Sequence, residues 1–345
     1  MEIIKKNIYK IIALVLILLV GIFLVLSFKN TSTKNDLINL EGKRLLGLAI
    51  DDDNLIYFNL DNKKFVRIND GTVREFPGIN FEPFEISYNY DLSQALLFGS
   101  IENPSKPFKI IDFNESKIYY LDPNISSAQF SPNGFEIAGY DFNENTGVGT
   151  LSLYDNRGIK IREIYKYQFN EGVAGFGLRW LNSNEILSLP IQQELVNVPI
   201  ISTNVSSGTS IERVPSGPYL DIKPSSDGKF LAILEFKPEG SGGSDDGQFD
   251  TQSFLSLYDL DMNRKVEISE LIEVEMARVI WSKNSQQLYA ITNTDSRLIK
   301  IDLDGRVSFL STYKGDDAIY QLVLSNDETY LWIVTRSGLV KLPLI

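Results

Sequence analysis

One loop of this chain has acidic and amide side chains at the spacing that surrounds a hard cation. In the run 141–147, Asp141, Asn143 and Asn145 put an oxygen-bearing side chain at every second position. Calcium loops begin with this alternation, then have glycine at the sixth position and a bidentate glutamate at the twelfth. Here Gly147 comes one place late and the glutamate is missing. We therefore predict a solvated turn, with no metal and no cofactor.

The composition removes the commonest catalytic groups. The 345 residues include no histidine and no cysteine. This excludes a Ser-His-Asp triad, a cysteine nucleophile, disulfides and thiolate metal sites. Two carboxylates suffice for glycoside hydrolysis, but no spacing in the sequence selects a pair. We therefore predict a protein that is not an enzyme, with a carboxylate-based hydrolase of envelope carbohydrate as the alternative.

A larger set of residues mixes aromatic and acidic side chains, as protein-binding surfaces often do. Its members lie in the connections between apolar runs, which the repeat described below brings to one face. Burial between repeats is the more ordinary interpretation for any single ring, but as a set they predict a binding surface. The candidate residues are Phe81, Asp141, Asn143, Asn145, Tyr167, Phe169, Tyr219, Asp245, Asp246, Tyr313, Asp316 and Asp317.

A recurring turn indicates the architecture. Each copy has an apolar residue, a polar turn and a second apolar run, and the best copies begin at Ser131, Ser225, Ser282 and Ser325. With the weaker copies, the second runs are 40 to 57 residues apart; their anchors are Ile56, Leu96, Ile137, Ile186, Leu231, Leu288 and Leu331. A period of roughly 40–45 residues with four short strands is typical of a β-propeller blade. We predict an all-β, seven-bladed propeller over residues 36–345, with six blades as the alternative.

The strands of each blade are named a to d from the centre outwards. In the first blade the apolar runs assign strand a to Leu45–Ile50 and strand b to Leu55–Leu60. The last blade has only three predicted strands, and an open edge would leave backbone groups unpaired. We predict that Asp36–Glu41 supplies its fourth strand. Two stretches are insertions relative to the length of the repeat: Pro190–Pro199 and the Gly/Ser/Asp-rich Lys237–Gln252.

The turns resemble those of a known family. Ser131-Pro132-Asn133-Gly134 and Ser225-Ser226-Asp227-Gly228-Lys229 resemble the Ser-Pro-Asp-Gly-Lys turn of TolB-like (WD-repeat-like) propellers, and Trp281-Ser282 is similar to the Trp-Ser that precedes it there. The resemblance spans about residues 40–345. It implies a propeller that acts mostly as an interaction platform. Because the motif is a structural hairpin, it implies a fold and no activity.

The N-terminus carries the other strong signal. Ile11–Phe28 is uncharged and long enough to cross a bilayer as a helix, and residues 8–28 make up the predicted span. Lys5, Lys6 and Lys10 precede it and favour a cytoplasmic N-terminus. We predict that residues 1–29 are a tail and an uncleaved signal anchor, with a cleaved signal peptide as the alternative. Residues 30–35 then tether the propeller outside the cytoplasm.

The charge narrows the choice of partner. The chain has a net charge of −12, and without its first 29 residues the net charge is −15. Such a domain repels phosphate backbones, so we predict no nucleic-acid binding. The same charge suits a basic partner. Together these features predict a single-pass membrane protein whose propeller is a non-catalytic protein- or glycan-binding platform at the cell envelope.

Overall fold

Seven antiparallel sheets follow one another along the chain in the computed structural model. The structure describes residues 40, 43–51, 54–69, 72–76, 79, 82–83, 85–99, 108–143, 146–168, 173–192, 197–237, 252–315 and 317–344. The predicted anchor and tether lie outside these residues. Within the described ranges, no helix is long and apolar enough to span a bilayer.

In every sheet the strands pair in the order in which they occur. The first three sheets are β1 (Leu45–Asp51), β2 (Asn54–Asn59), β3 (Lys64–Asn69) and β4 (Thr72–Glu75); β5 (Glu85–Tyr88), β6 (Gln94–Phe98), β7 (Lys109–Asp112) and β8 (Lys117–Tyr120); and β9 (Ile125–Phe130), β10 (Glu136–Asn143), β11 (Val148–Asp155) and β12 (Lys160–Gln168).

The fourth and fifth sheets are β13 (Val173–Asn182), β14 (Glu185–Gln192), β15 (Val198–Asn204) and β16 (Ser210–Gly217); and β17 (Tyr219–Pro224), β18 (Phe230–Lys237), β19 (Gln252–Asp259) and β20 (Arg264–Val266). A short 3-10 helix, Met276–Arg278, precedes the sixth sheet. The last two sheets are β21 (Val279–Trp281), β22 (Gln287–Ile291), β23 (Arg297–Asp302) and β24 (Val307–Thr312); and β25 (Ile319–Leu324), β26 (Tyr330–Thr335) and β27 (Leu339–Pro343).

The first strands of the seven sheets form a closed central ring. Side chains on these strands bridge neighbouring sheets: the Trp180 N–H donates to Gln129 Oε1 at 2.9 Å, joining the third and fourth. The ring closes where the last sheet meets the first, because the Leu48 N–H donates to Gln321 Oε1 at 3.0 Å and Gln321 Nε2 donates to the Leu48 carbonyl at 3.1 Å. The predicted seven-bladed propeller is thereby confirmed.

The recurring motif is a hairpin between strands a and b. Ser225 Oγ accepts from the Phe230 N–H at 3.0 Å and donates to Asp227 Oδ1 at 2.6 Å. The same pair of bonds forms at the other strong copies, at Ser131, Ser282 and Ser325. The residue directly after the Asp or Asn has a left-handed backbone conformation, which is why Gly228 (φ +70°) fits there.

The serine of this hairpin can be tested directly. Ser225 is buried, so Ser225→Ala leaves the Phe230 N–H without its acceptor. We expect the free energy of unfolding to fall by about 1–2 kcal/mol in urea titrations. Ser226→Ala, at the exposed next position, is the control and should change it by less than about 0.5 kcal/mol. Equal effects of the two substitutions would contradict a structural role for the Ser225 hydroxyl.

The first blade has its strands where they were predicted but differs from the other blades in one hydrogen bond. In blades two and five, the residue after strand c donates its N–H to the carbonyl just before strand b: Phe113 to Ser93 at 2.9 Å, and Leu260 to Lys229 at 2.8 Å. In the first sheet the same bond runs from Leu60 to Arg44, at 3.1 Å. β1 is nevertheless the innermost strand of a sheet in the order β1-β2-β3-β4 and lies against the inner strands β5 and β25 of the neighbouring blades, so the assignment of Leu45–Ile50 to strand a and Leu55–Leu60 to strand b is confirmed.

The turn after β2 is capped by a side chain. Asn59 Oδ1 accepts from the N–H groups of Asp61 (2.9 Å) and Asn62 (3.4 Å). Asp112 Oδ1 accepts in the same way from Asn114, at 2.9 Å, in the c–d turn of blade two. The b–c turn after β2 therefore has the same kind of capping side chain as the c–d turn of blade two.

The predicted closing strand, Asp36–Glu41, lies outside the described residues except for Leu40. Leu40 is buried and packs in one cluster with Trp332 and Val334 of the last blade. The stretch Pro190–Pro199 begins as a strand extension, since β14 continues to Gln192. The insertion after β18 falls outside the described residues from 238 to 251.

Candidate functional site

The predicted binding surface was placed on the b–c and d–a connections, which we call the loop face. Half of its candidate residues lie outside the described residues; these are Phe81, Asn145, Phe169, Asp245, Asp246 and Asp316. The other six are described, and the structure does not make them one exposed surface.

Two of the aromatic candidates are core residues. Tyr167 and Tyr313 are each 5% exposed, so the prediction that they lie on a surface is wrong. Tyr167 packs between blades three and four, where its hydroxyl pairs with Thr203 Oγ1 at 2.5 Å. Tyr219 is partly buried and donates to the Pro215 carbonyl at 2.7 Å; burial, with Glu235 nearby, raises its pKa to about 12. Rings at these positions fill the wedge between neighbouring blades.

The acidic and amide candidates form contacts within or near their own turns. Asn143 Oδ1 accepts from the Thr146 N–H at 3.2 Å, and the Asn143 carbonyl accepts from Gly147 at 2.9 Å. Burial raises the pKa of Asp141, and the Asp122 carboxylate adds to this. Asp317 accepts a hydrogen bond from the Ser337 hydroxyl. Among the residues that the structure describes, no three acidic side chains are grouped so as to hold a metal ion.

The central ring holds the most unusual charged group. Lys223 Nζ donates to the Val279 carbonyl of the next blade at 2.6 Å. Burial, reinforced by the neighbouring Arg179, lowers the Lys223 pKa to about 8. Arg179 in turn pairs with Asp221 at 3.1 Å. These groups join successive inner strands, so the charges of this part of the ring have structural partners.

The opposite face carries two exposed aromatic side chains on adjacent turns. We call the face with the a–b and c–d turns the turn face, and we call Tyr90 and Phe135 the aromatic turn pair. Tyr90 is 79% exposed in the a–b turn of blade two, and Phe135 is 74% exposed in that of blade three. The turns touch, since a Cβ built on Gly134 would lie 3.2 Å from the Tyr90 nitrogen.

The hairpin does not require either ring. In the turn of blade three, Ser131 and Asn133 form the hydrogen bonds and Gly134 takes the left-handed conformation. Phe135 has no part in them beyond its backbone. The residues at its position in the other strong turns are Lys229, Gln286 and Thr329, and those at the position of Tyr90 are Pro132, Ser226, Lys283 and Asn326. Both rings therefore occupy positions where most turns have a polar side chain.

A polar network joins blades two and three beside these turns. Gln94 Nε2 donates to Asp112 Oδ2 at 2.9 Å and to the Asn156 carbonyl of blade three at 3.2 Å. Further out on the same face, Glu115 binds Lys117 at 2.7 Å and Arg157 of blade three at 3.3 Å. The aromatic turn pair therefore stands on a rigid junction between two blades, which reduces the entropy lost on binding.

The aromatic turn pair does not belong to the predicted binding surface, although the sequence contains a signal for it. The motif predicts a structural hairpin, and the predicted binding residues lie on the loop face. The informative feature is the comparison between copies, in which Phe135 stands where the others have Lys, Gln or Thr.

Comparisons with solved structures support the fold. An oligogalacturonate lyase in complex with manganese aligns with a TM-score of 0.60 and 9% identity, covering 85% of this chain and 86% of that chain. The Swd1 propeller domain of Myceliophteria thermophila aligns with a TM-score of 0.55 and 12% identity, over 88% and 98%. Solved β-propellers share this fold.

TolB from Acinetobacter baumannii is also among the similar structures, with a TM-score of 0.48 and 12% identity over 76% of this chain and 62% of that chain. At identities of 9% and 12%, the alignments with the oligogalacturonate lyase and the Swd1 domain establish shared architecture alone. No protein-family model matches the sequence, and neither does any curated protein.

Proposed function

We propose that this chain is a non-catalytic recognition platform that binds a protein partner and is held at the outer surface of a membrane by residues 8–28. The observation that carries the proposal is the aromatic turn pair. Large exposed rings on a rigid scaffold are the side chains that most often dominate protein interfaces. Tyr90 and Phe135 lie at positions that the hairpin leaves free, so a structural role does not explain them.

Two further observations support a role in recognition. The charged side chains described above in the central ring, Arg179, Asp221 and Lys223, are bonded to one another or to the backbone of the next blade. The chain also has no histidine or cysteine for the commonest catalytic arrangements. The uncharged run Ile11–Phe28 and the lysines before it support the proposed membrane location.

The test is affinity capture of the full, detergent-solubilised chain from its own membranes. We expect a reproducible protein partner with the wild type, and at least about tenfold less of it with the double variant Tyr90→Asn and Phe135→Thr. These substitutions introduce residues that the same turn positions have elsewhere, at Asn326 and Thr329. The matched control is Phe309→Ser, which removes a ring that is 59% exposed on β24.

Three outcomes separate the alternatives. Loss of the partner with the double variant but not with Phe309→Ser supports the platform and its site. No reproducible partner, together with turnover of envelope glycan, would overturn the proposal in favour of a carboxylate-based hydrolase. Protease treatment of intact cells and spheroplasts tests the topology, and a fully protected propeller would contradict an extracytoplasmic location.

A further inference from the structure

We propose that the aromatic turn pair binds a basic, extended segment of the partner protein, with lysine or arginine side chains lying over the rings of Tyr90 and Phe135. This inference rests on the proposed function and specifies the chemistry of its partner. It follows from the charges around the two rings and from the hydrogen bonds that already engage the neighbouring polar atoms.

The two aromatic turns are acidic. Asp91 follows Tyr90, Glu136 follows Phe135, and neither turn contains a lysine or arginine. The corresponding turns of blades five and six each carry a cation, Lys229 and Lys283. A cationic side chain can therefore approach the two rings without meeting a like charge from these turns, and an acidic residue follows each ring in the sequence.

The carboxylate beside Tyr90 stays ionised. Partial burial of Asp91 opposes ionisation, but hydrogen bonds from the Ser93 hydroxyl and N–H outweigh it and lower the Asp91 pKa. The Ser93 N–H lies 3.0 Å from Asp91 Oδ1. A cation near Tyr90 therefore meets a full negative charge at neutral pH.

The outer part of the same face does not offset this charge. Two cations there, Lys117 and Arg157, both contact Glu115. Hydrogen bonds from Lys117 and Tyr119 lower the pKa of Glu115 to about 2, so this carboxylate is also ionised. Across the a–b and c–d turns of blades two and three, the acidic residues Asp91, Asp112, Glu115, Glu136 and Asp155 exceed the basic residues Lys117, Arg157 and Lys160.

The two aromatic turns offer negative charge and aromatic ring faces, and this combination suits a cation better than a sugar. Asn133 Oδ1 already accepts from the Ser131 hydroxyl at 2.6 Å and from the Phe135 N–H at 3.1 Å. Glycan recognition needs directed hydrogen bonds to hydroxyl groups, and this amide oxygen is engaged within its own turn. Lysine and arginine need only an open ring face within about 6 Å and a nearby carboxylate.

The experiment measures binding of a fluorescein-labelled octalysine peptide to the full detergent-solubilised chain by fluorescence polarisation. The variant Tyr90→Asn with Phe135→Thr has the same net charge as the wild type, so it isolates the contribution of the rings. We expect binding about tenfold weaker with this variant and within about twofold of wild type with Phe309→Ser. An octaglutamate peptide should not bind.

A second pair of substitutions tests the carboxylates. Asp91→Asn with Glu136→Gln keeps acceptor oxygens in the turns, and asparagine already occupies the equivalent of Asp91 at Asn133 and Asn284. We expect weaker octalysine binding and a shallower dependence on salt concentration. Equal octalysine affinity for the wild type and both double variants would overturn the inference. If the variant Tyr90→Asn with Phe135→Thr nevertheless loses the captured partner, the proposed function is supported, and only the inference that the partner segment is basic is rejected.

Discussion

Replacing Gln321 with leucine should lower the free energy of unfolding by about 2–4 kcal/mol, because it leaves two backbone groups without partners. The Gln321 amide is the polar link between the last blade and the first, donating to and accepting from Leu48. Leucine has a similar size but neither a donor nor an acceptor, and Leu48 is 1% exposed, so water cannot replace the lost bonds. Urea titration of the wild type and the variant measures the change.

The control for this joint is its neighbour in β25. Tyr320 is 41% exposed, and Tyr320→Ser should change stability by less than about 0.5 kcal/mol. Hydrogen exchange locates the effect, since the amides of β1 and β25 should lose protection before those of β10 and β18. An unchanged midpoint for Gln321→Leu would show that packing alone closes the ring.

Gly149→Ala should be comparably destabilising, by about 3 kcal/mol, because it overfills the contact between strands b and c of blade three. A Cβ on Gly149 would lie 1.3 Å from the Tyr140 hydroxyl oxygen and 2.2 Å from the ring carbon that bears it. Tyr140 is fully buried, and its ring lies 5.9 Å from that of Tyr167. A shift of the ring would therefore meet buried neighbours. Thermal and urea unfolding measure the loss.

Gly177→Ala is the matched control for that substitution. Gly177 also lies in a strand, but a Cβ there would approach no atom closer than 3.8 Å, at the Leu189 side chain. It should leave stability within about 1 kcal/mol of the wild type, with a small gain from the stiffer unfolded chain. Equal losses for the two variants would contradict overpacking as the cause.

The repeated turns made the fold predictable. The chemistry of each a–b hairpin is local, because Ser131, Ser225, Ser282 and Ser325 bond to residues at most five places away. Local hydrogen bonds leave a pattern in the sequence, and seven copies of it required a closed repeat architecture.

The binding surface was less predictable. Tyr167, Tyr313, Tyr90 and Phe135 are all aromatic residues near strand ends, yet the first two are 5% exposed and the last two are 79% and 74% exposed. Which ring is buried depends on the neighbouring blade, whose residues are far away in the sequence. Comparison of the turn copies indicates part of the surface, because an aromatic residue at a position that is polar in most copies is not needed by the hairpin.

The sequence by itself determined the blade, because a hairpin with its capping serine is built from contacts within a few residues. It also determined the acidic charge and the absence of histidine and cysteine, which limit the chemistry and the partner. Only the tertiary structure decided where Gln321 joins Leu48 and which rings remain in solvent. Those outcomes depend on how blades distant along the chain pack against each other, and packing of that kind leaves no short-range pattern.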